Sequence, residues 1–188
     1  MFAYCGNNPV SRIDVSGYGW TDFWREIKDW LKEKKEEASS NADGTGTIGV
    51  TVSGAFGVGG SLSCGITFDA KGNIGIAATG NAGGGFPSAG VGGYINITNA
   101  PDIFKQQGLG TVVGASGGPG AVAIGAEYCL LVDSEGGNVY HGVTVSATAG
   151  LYPTVVEVHG EAGYTSVVGF NIFDALIYAV DVMIPERR

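Results

Sequence analysis

Bulky apolar residues alternate with small or polar ones along the whole stretch from Thr47 to Phe68. The even-numbered positions carry the apolar side chains, interrupted only by Gly54 and Gly60, and the odd-numbered positions carry Gly, Ala, Ser or Thr. A period of two places successive side chains on opposite faces of a strand. The pattern therefore predicts extended chain with one apolar face, either as a hairpin with a turn at 56–60 or as one long bent strand.

The same alternation returns several times before the chain ends. We predict the further strands at 74–82, 91–98, 110–116, 121–132, 139–148 and 153–168. Residues 83–89 are predicted to be a flexible segment, and residues 99–108 a helical turn or capping loop. Apolar residues at three- and four-residue spacing predict helices at 20–39 and 171–184.

These elements define the predicted fold and domain organisation. The fold is mainly β, an antiparallel meander of about eight strands in a closed or nearly closed barrel, flanked by an N-terminal and a C-terminal α-helix. Residues 18–40 form an amphipathic helix and linker, and residues 41–188 form a glycine-rich β domain that includes the C-terminal helix. We expect both helices to pack on the β domain.

The pattern does not establish which face of the sheet is inside. A large apolar face left in water would aggregate, so we expect the even-numbered side chains of 48–68 to be buried. A barrel that spans a bilayer has the same alternation turned outward, with bulky residues towards lipid and slim or polar ones towards the lumen.

Charge restricts the partners of the β region. Between residues 42 and 186 only Lys71 and Lys105 are basic, against eleven acidic residues. Nucleic-acid binding depends on Lys and Arg that neutralise phosphates, so this region is not expected to bind nucleic acid. The sequence predicts no signal peptide, no transmembrane helix, no cofactor and no metal site.

Candidate chemistry collects on the last predicted strands. If residues 133–138 form a loop, Glu127 lies opposite Thr144 and Leu131 opposite Tyr140. If residues 149–152 form the next loop, a second set of cross-strand pairs follows: Thr144 with Glu157, Gly142 with His159, and Tyr140 with Glu161. One face then gathers Glu127, Tyr140, Glu157, His159 and Glu161, either as a general acid/base site or as the solvated face of an edge hairpin.

The first 17 residues resemble a known border motif. Residues 2–10 read Phe-Ala-Tyr-Cys-Gly-Asn-Asn-Pro-Val and residues 12–17 read Arg-Ile-Asp-Val-Ser-Gly. This run is similar to the end of the RHS (YD-repeat) core, although Val15 stands where the family has proline. The resemblance implies that residues 1–17 are a remnant of the RHS core border and that the rest is a C-terminal toxin module for competition between bacteria. It further implies secretion or delivery into a target bacterium and a cognate immunity protein.

Three functions follow from these observations. The first is a toxin that acts on the target membrane as a β-barrel-like pore, with oligomer formation left open. The second is an enzymatic toxin, an RNase or other hydrolase, that uses His159 with Glu157 or Glu161. The third is a binding module without catalysis.

Overall fold

A computed structural model describes residues 20–40, 43–118, 121–151 and 156–183. The border motif at 1–17 lies outside these residues. The described elements, in chain order, are helix α1 (Trp20–Ser39), strands β1 (Thr45–Asp69) and β2 (Asn73–Thr98), a 3-10 turn (Ile103–Gln106), strands β3 (Gly108–Gly117), β4 (Val122–Asp133), β5 (Val139–Leu151) and β6 (Val156–Asn171), and helix α2 (Ile172–Met183).

The six strands form one closed antiparallel sheet. Their order is β1-β2-β5-β4-β3-β6, and β6 pairs back onto β2. The first half of β2 pairs with β6, from Asn73 to Gly84, and its second half pairs with β5, from Ala89 to Thr98. Counted with the two halves of β2 separately, the barrel has seven strand segments. The predictions of a mainly β chain, a closed antiparallel barrel and a helix at each end are confirmed.

Strands β1 and β2 run together for their whole length and bend at the same point. The pairing shifts by one residue between Ala55 and Gly57, where Gly57 adopts a φ of 80°. The two halves of β1 then lie side by side, since a Cβ added at Gly49 would come within 2.2 Å of the Cys64 carbonyl oxygen. Of the two sequence-based alternatives, the long bent strand describes β1, and residues 83–89 continue as strand rather than as a separate loop.

The barrel is not a simple meander, which corrects part of the prediction. Strands β3, β4 and β5 follow one another as neighbours, but β6 pairs with β3 and β2 instead of β5. Alternation fixes which residues share a face, whereas the pairing partners depend on how the sheet closes. Here β6 occupies the position that joins β3 to β2 and completes the ring.

The expectation that the apolar face is buried is wrong. Val50, Leu62 and Ile66 point outward and are 62, 71 and 58% exposed, whereas the odd-numbered Thr47 and Thr67 are 3 and 0% exposed. The physical reason is close backbone approach on the inside of the barrel, where a Cβ added at Gly49 would already lie 2.2 Å from the Cys64 carbonyl oxygen. The face of Gly, Ala, Ser and Thr allows opposite walls to approach closely, and the face of Phe, Leu, Ile and Val does not.

Large apolar residues cover the outside of every strand. Examples from β1 to β6, in order, are Val52, Ile76, Leu109, Ile124, Val145 and Val158, all more than half exposed. Among the described strand residues, the outward positions include no Asp, Glu, Lys or Arg. The outward histidine of the described strands is His141, whose Nδ1 lies 2.5 Å from the Tyr128 hydroxyl. In a designed protein that faces water, about a quarter to a third of the surface residues are charged. The outer wall of this barrel therefore differs in composition from a water-exposed surface.

The two helices lie at one end of the barrel, where α2 contacts β6 and α1 packs chiefly on α2, which corrects the expectation that both helices pack on the β domain. Helix α2 follows β6 directly, and the Asn171 side chain caps it by accepting hydrogen bonds from the Phe173 and Asp174 amides. Helix α1 has its predicted bounds and packs against α2, with ion pairs from Lys28 to Asp181 and from Lys35 to Asp174. No helix in the described part of the chain is both long enough and apolar enough to cross a membrane.

A plug segment, residues 99–107, lies in the same end of the lumen and narrows it. It contains the 3-10 turn, as the predicted helical turn or capping loop required, and Asp102 caps that turn through the Phe104 and Lys105 amides. Ile103 is fully buried and Gln106 is 3% exposed. The Gln106 amide nitrogen donates to the hydroxyls of Thr45 and Thr67, which fixes the plug to β1.

The two ends of the barrel differ in character. We call the end that carries the plug and both helices the helix end, and the opposite end, where β1 and β2 bend, the turn end. At the helix end Lys105 lies 3.2 Å from Asp133 and 3.0 Å from Glu135. The Glu135 amide, followed by Lys105, holds the pKa of Asp133 below its usual range, and Glu135 and Asp133 raise the pKa of Lys105.

Candidate functional site: the acidic lumen

The inward faces of the strands enclose a cavity of about 150 Å³ inside the barrel. Its walls are mostly small or polar side chains from every strand, with Val112 and Leu131 as larger apolar members and Gln106 from the plug. The titratable lining residues that carry the candidate chemistry are Glu127, Glu157, His159 and Glu161. The cavity is polar and large enough to hold water.

Glu127 and His159 meet across a strand that lies between them. Glu127 on β4 and His159 on β6 both pair with Gly114 of β3. The Glu127 Oε1 to His159 Nε2 distance is 3.3 Å. A Cβ at Gly114 would lie 2.5 Å from Glu127 Cγ and 3.0 Å from His159 Nε2, so a larger residue would fill the space the two side chains share. Gly114 is therefore a part of this site that alternation alone did not single out.

The other two carboxylates are held by side chains from the β1–β2 ribbon. Glu161 accepts a hydrogen bond of 2.6 Å from the Ser61 hydroxyl, which in turn accepts one of 3.1 Å from Asn81. Glu157 lies nearer the turn end, is 7% exposed and accepts a 3.0 Å bond from Ser88. These bonds satisfy part of the acceptor capacity of each carboxylate and fix where its charge lies.

The sequence-based pairings of this cluster are half correct. Glu127 does pair with Thr144, and Leu131 with Tyr140. The pairs of Thr144 with Glu157, Gly142 with His159 and Tyr140 with Glu161 are wrong, because β5 and β6 are not neighbours. On β6 the observed partners are Ser116 for Glu157, Gly114 for His159, and Val112 and Gly83 for Glu161.

Four of the five candidate residues nonetheless come together. Glu127, Glu157, His159 and Glu161 all line the cavity, since every inward face of a closed barrel points at the same space. Tyr140 pairs with Leu131 towards the helix end and does not line the cavity within the described chain. The cluster is also not the solvated face of an edge hairpin, because the described sheet is closed and these side chains are inside it.

Several polar lumen residues were missed by sequence reasoning. Asn96 donates to the Thr144 hydroxyl at 2.8 Å and to Cys129 Sγ at 3.4 Å. Ser61, Asn81 and Ser88 hold the carboxylates as described above. The sequence did contain a signal for these residues, because each occupies a slim-face position of its strand. Asn is also uncommon in strands.

The lumen has a net negative lining. It combines three glutamates with one imidazole, and the described residues around it include no Lys or Arg. A ring of carboxylates in a narrow channel attracts cations and repels anions. Among the described residues, no group of three or more His, Cys, Asp or Glu side chains is arranged to hold a metal ion.

Comparisons with known proteins do not assign this barrel to a family. No protein-family model matches the chain, and no curated protein sequence matches it. Two solved structures with partial similarity are red fluorescent proteins: an engineered variant with improved folding from Branchiostoma lanceolatum (9% identity, TM-score 0.24, 71% of this chain and 65% of that chain) and lanRFPdam (8% identity, TM-score 0.24, 73% and 65%). The chain thus spans less than two thirds of the length of each, and at these TM-scores the likeness carries no argument about function.

Proposed function

We propose that this chain is a toxin module that inserts into a target membrane as a β-barrel and lets small cations pass through its acidic lumen. The observation that carries the proposal is the outer wall. Apolar side chains point outward from every strand of a closed barrel, and the described outward strand positions carry no Asp, Glu, Lys or Arg.

A bilayer is the surrounding that fits such a wall. A protein partner covers one side of a barrel, whereas the exposed apolar residues surround its whole circumference. A strand needs about 9–11 residues to cross the hydrocarbon core at the usual tilt. Strands β3, β4 and β5 have 10, 12 and 13 residues, which meets that length. A closed sheet also satisfies every backbone hydrogen bond, as a membrane-spanning structure must.

The lumen supports passage of small cations rather than chemistry on a polymer. Glu127, Glu157 and Glu161 give it negative charge, and a cavity of about 150 Å³ admits water and small ions but no nucleic acid. The plug narrows the helix end further through Gln106. An RNase that uses His159 as an acid/base group would need its substrate to enter this space.

The toxin context comes from the resemblance of residues 1–17 to the RHS border. In that context the module is delivered into a competing bacterium, and the producing cell is protected by an immunity protein. Delivery inside a larger shell also suits a barrel whose exterior is apolar, since the wall is then kept from water until it reaches lipid.

Replacing the three lumen glutamates by glutamine is expected to remove the cation preference of the pore. In vesicles with a KCl gradient, the parent protein should pass K⁺ in preference to Cl⁻ while an entrapped dye of several hundred daltons stays inside. The Glu127→Gln, Glu157→Gln, Glu161→Gln variant should lower the K⁺/Cl⁻ permeability ratio by roughly tenfold, because the charge that concentrates cations is gone. The measurement is the reversal potential.

The control for this variant is Glu135→Gln, which removes a carboxylate that is 81% exposed at the helix end. It should keep the parent's selectivity. A K⁺/Cl⁻ ratio that the three lumen changes leave untouched would contradict conduction through this lumen.

The enzymatic alternative is tested inside a sensitive bacterium by following membrane potential and RNA integrity together. We expect depolarisation with intact RNA, little altered by His159→Ala. Degraded RNA at normal potential, abolished by His159→Ala, would show that the histidine acts in catalysis and that the pore proposal is wrong.

A further inference from the structure

We infer that the barrel enters the membrane with its turn end leading, so that this end reaches the far side while the helix end and both helices stay on the side of entry. This inference rests on the proposed membrane insertion and adds a direction to it.

In the part of the chain that the structure describes, the turn end has no charge to carry across the bilayer. It is formed where β1 and β2 bend together, with Ala55 beside Ser88, and where the β3–β4 and β5–β6 connections leave the sheet, with Gly117 beside Val156. The described residues of these stretches, 53–60, 82–92, 113–118, 121–126, 145–151 and 156, include no Asp, Glu, Lys, Arg or His. Glu157, the next acidic residue, points into the lumen and bonds to Ser88.

The turn end is also the most apolar part of the surface. Phe56, Val58 and Leu151 are 86, 81 and 77% exposed, the highest values among the large apolar strand residues of the described chain. Side chains that protrude from an end without charge are suited to make first contact with lipid.

The helix end is charged at each of its connections. The β1–β2 turn carries Asp69 and Lys71, the plug carries Asp102 and Lys105, and the β4–β5 turn carries Glu135. Beyond them lies α1, in which 11 of 20 residues are charged. Moving a charged side chain through the hydrocarbon core is costly, so the barrier for the helix end is far higher than for the turn end.

The direction is tested with single cysteines and an entrapped thiol reagent. The natural cysteines are replaced (Cys5→Ser, Cys64→Ser, Cys129→Ser), and one cysteine is introduced by Val58→Cys at the turn end or Ser134→Cys at the helix end. Protein is added outside vesicles that contain a membrane-impermeant biotin-maleimide. The entrapped reagent should label the Val58→Cys protein and leave the Ser134→Cys protein unlabelled, and reagent added outside should do the reverse.

A kinetic variant gives a second measurement that does not depend on labelling. Val58→Lys places one charge on the leading end and should slow insertion by on the order of 100-fold, because that charge must cross the bilayer. Ser134→Lys adds the same charge at the helix end and should insert at the parent's rate. Equal rates for the two lysine variants, or entrapped reagent on Ser134→Cys, would overturn the inferred direction.

These experiments distinguish a wrong direction of insertion from a barrel that does not insert at all. If the entrapped reagent labels Ser134→Cys and the vesicles leak K⁺, the barrel inserts but in the opposite orientation. If outside reagent labels both cysteines and no K⁺ leak occurs, the barrel does not insert, and the proposed function fails as well.

Discussion

Leu62→Arg is expected to lower the fraction of protein inserted in lipid vesicles by about 30-fold or more. Leu62 points outward from the second half of β1, midway between its bend and its end, and is 71% exposed. Near the middle of a bilayer an arginine on the lipid face of a barrel costs about 2–4 kcal/mol. The inserted fraction is measured by flotation of vesicles on a density gradient.

Phe68→Arg is the matched control on the same strand and the same face. Phe68 lies beside Asp69 at the helix end, where an arginine near the interface costs only about 0–1 kcal/mol, less than about sixfold in insertion. If the two variants float equally well, the outer wall of β1 does not face the hydrocarbon core. Both variants introduce arginine, so the comparison reports how deep each position lies in the bilayer.

Gly49→Ala is expected to destabilise the barrel, although it adds a single methyl group. The new Cβ would lie 2.2 Å from the Cys64 carbonyl oxygen and 2.6 Å from Gly65 Cα, and both are backbone atoms of the neighbouring half of β1. A backbone neighbour cannot rotate away, so the walls must separate. We expect a loss of about 1–3 kcal/mol, seen as a lower urea midpoint of the detergent-solubilised protein.

Gly54→Ala makes the same change on the same strand but is expected to stabilise the barrel. A Cβ at Gly54 meets nothing within 4 Å. With room available, alanine restricts the unfolded chain and should stabilise the barrel by about 0.4–1 kcal/mol. Two alanine variants of equal stability would show that the narrow lumen does not determine where glycine is required.

The sequence was sufficient to predict the helices, the strands and which residues share a strand face. It was not sufficient to predict how the strands are arranged in the barrel. Alternation located β1 and the later strands to within a few residues, and helical spacing located both helices. It could not locate β6 between β3 and β2, because that contact depends on ring closure and not on any local pattern. The pairs predicted between β5 and β6 were wrong for that reason.

The second feature that the sequence did not predict is which face of each strand points into the barrel. Burial of apolar groups in water predicts that Val50 and Leu62 face inward, and the structure shows them outside. The decisive quantity is the interior volume, which depends on the size of the closed barrel and is not a property of any one strand. The grouping of Glu127, Glu157, His159 and Glu161 on one face was predicted correctly even so, because the four residues share the slim-face parity of their strands.

The central claim is that the outer wall of the barrel contacts lipid. A probe on Cys64 tests this claim most directly. Cys64 is exposed on the outer face of β1, next to Leu62 in the same row. In a Cys5→Ser, Cys129→Ser background, a fluorophore on Cys64 is compared in vesicles with one on the Ser134→Cys, Cys64→Ser variant. We predict that nitroxide groups on the lipid chains quench the fluorophore at Cys64 and that aqueous iodide does not, with the reverse at residue 134. Quenching at Cys64 by iodide alone would contradict a membrane-inserted barrel.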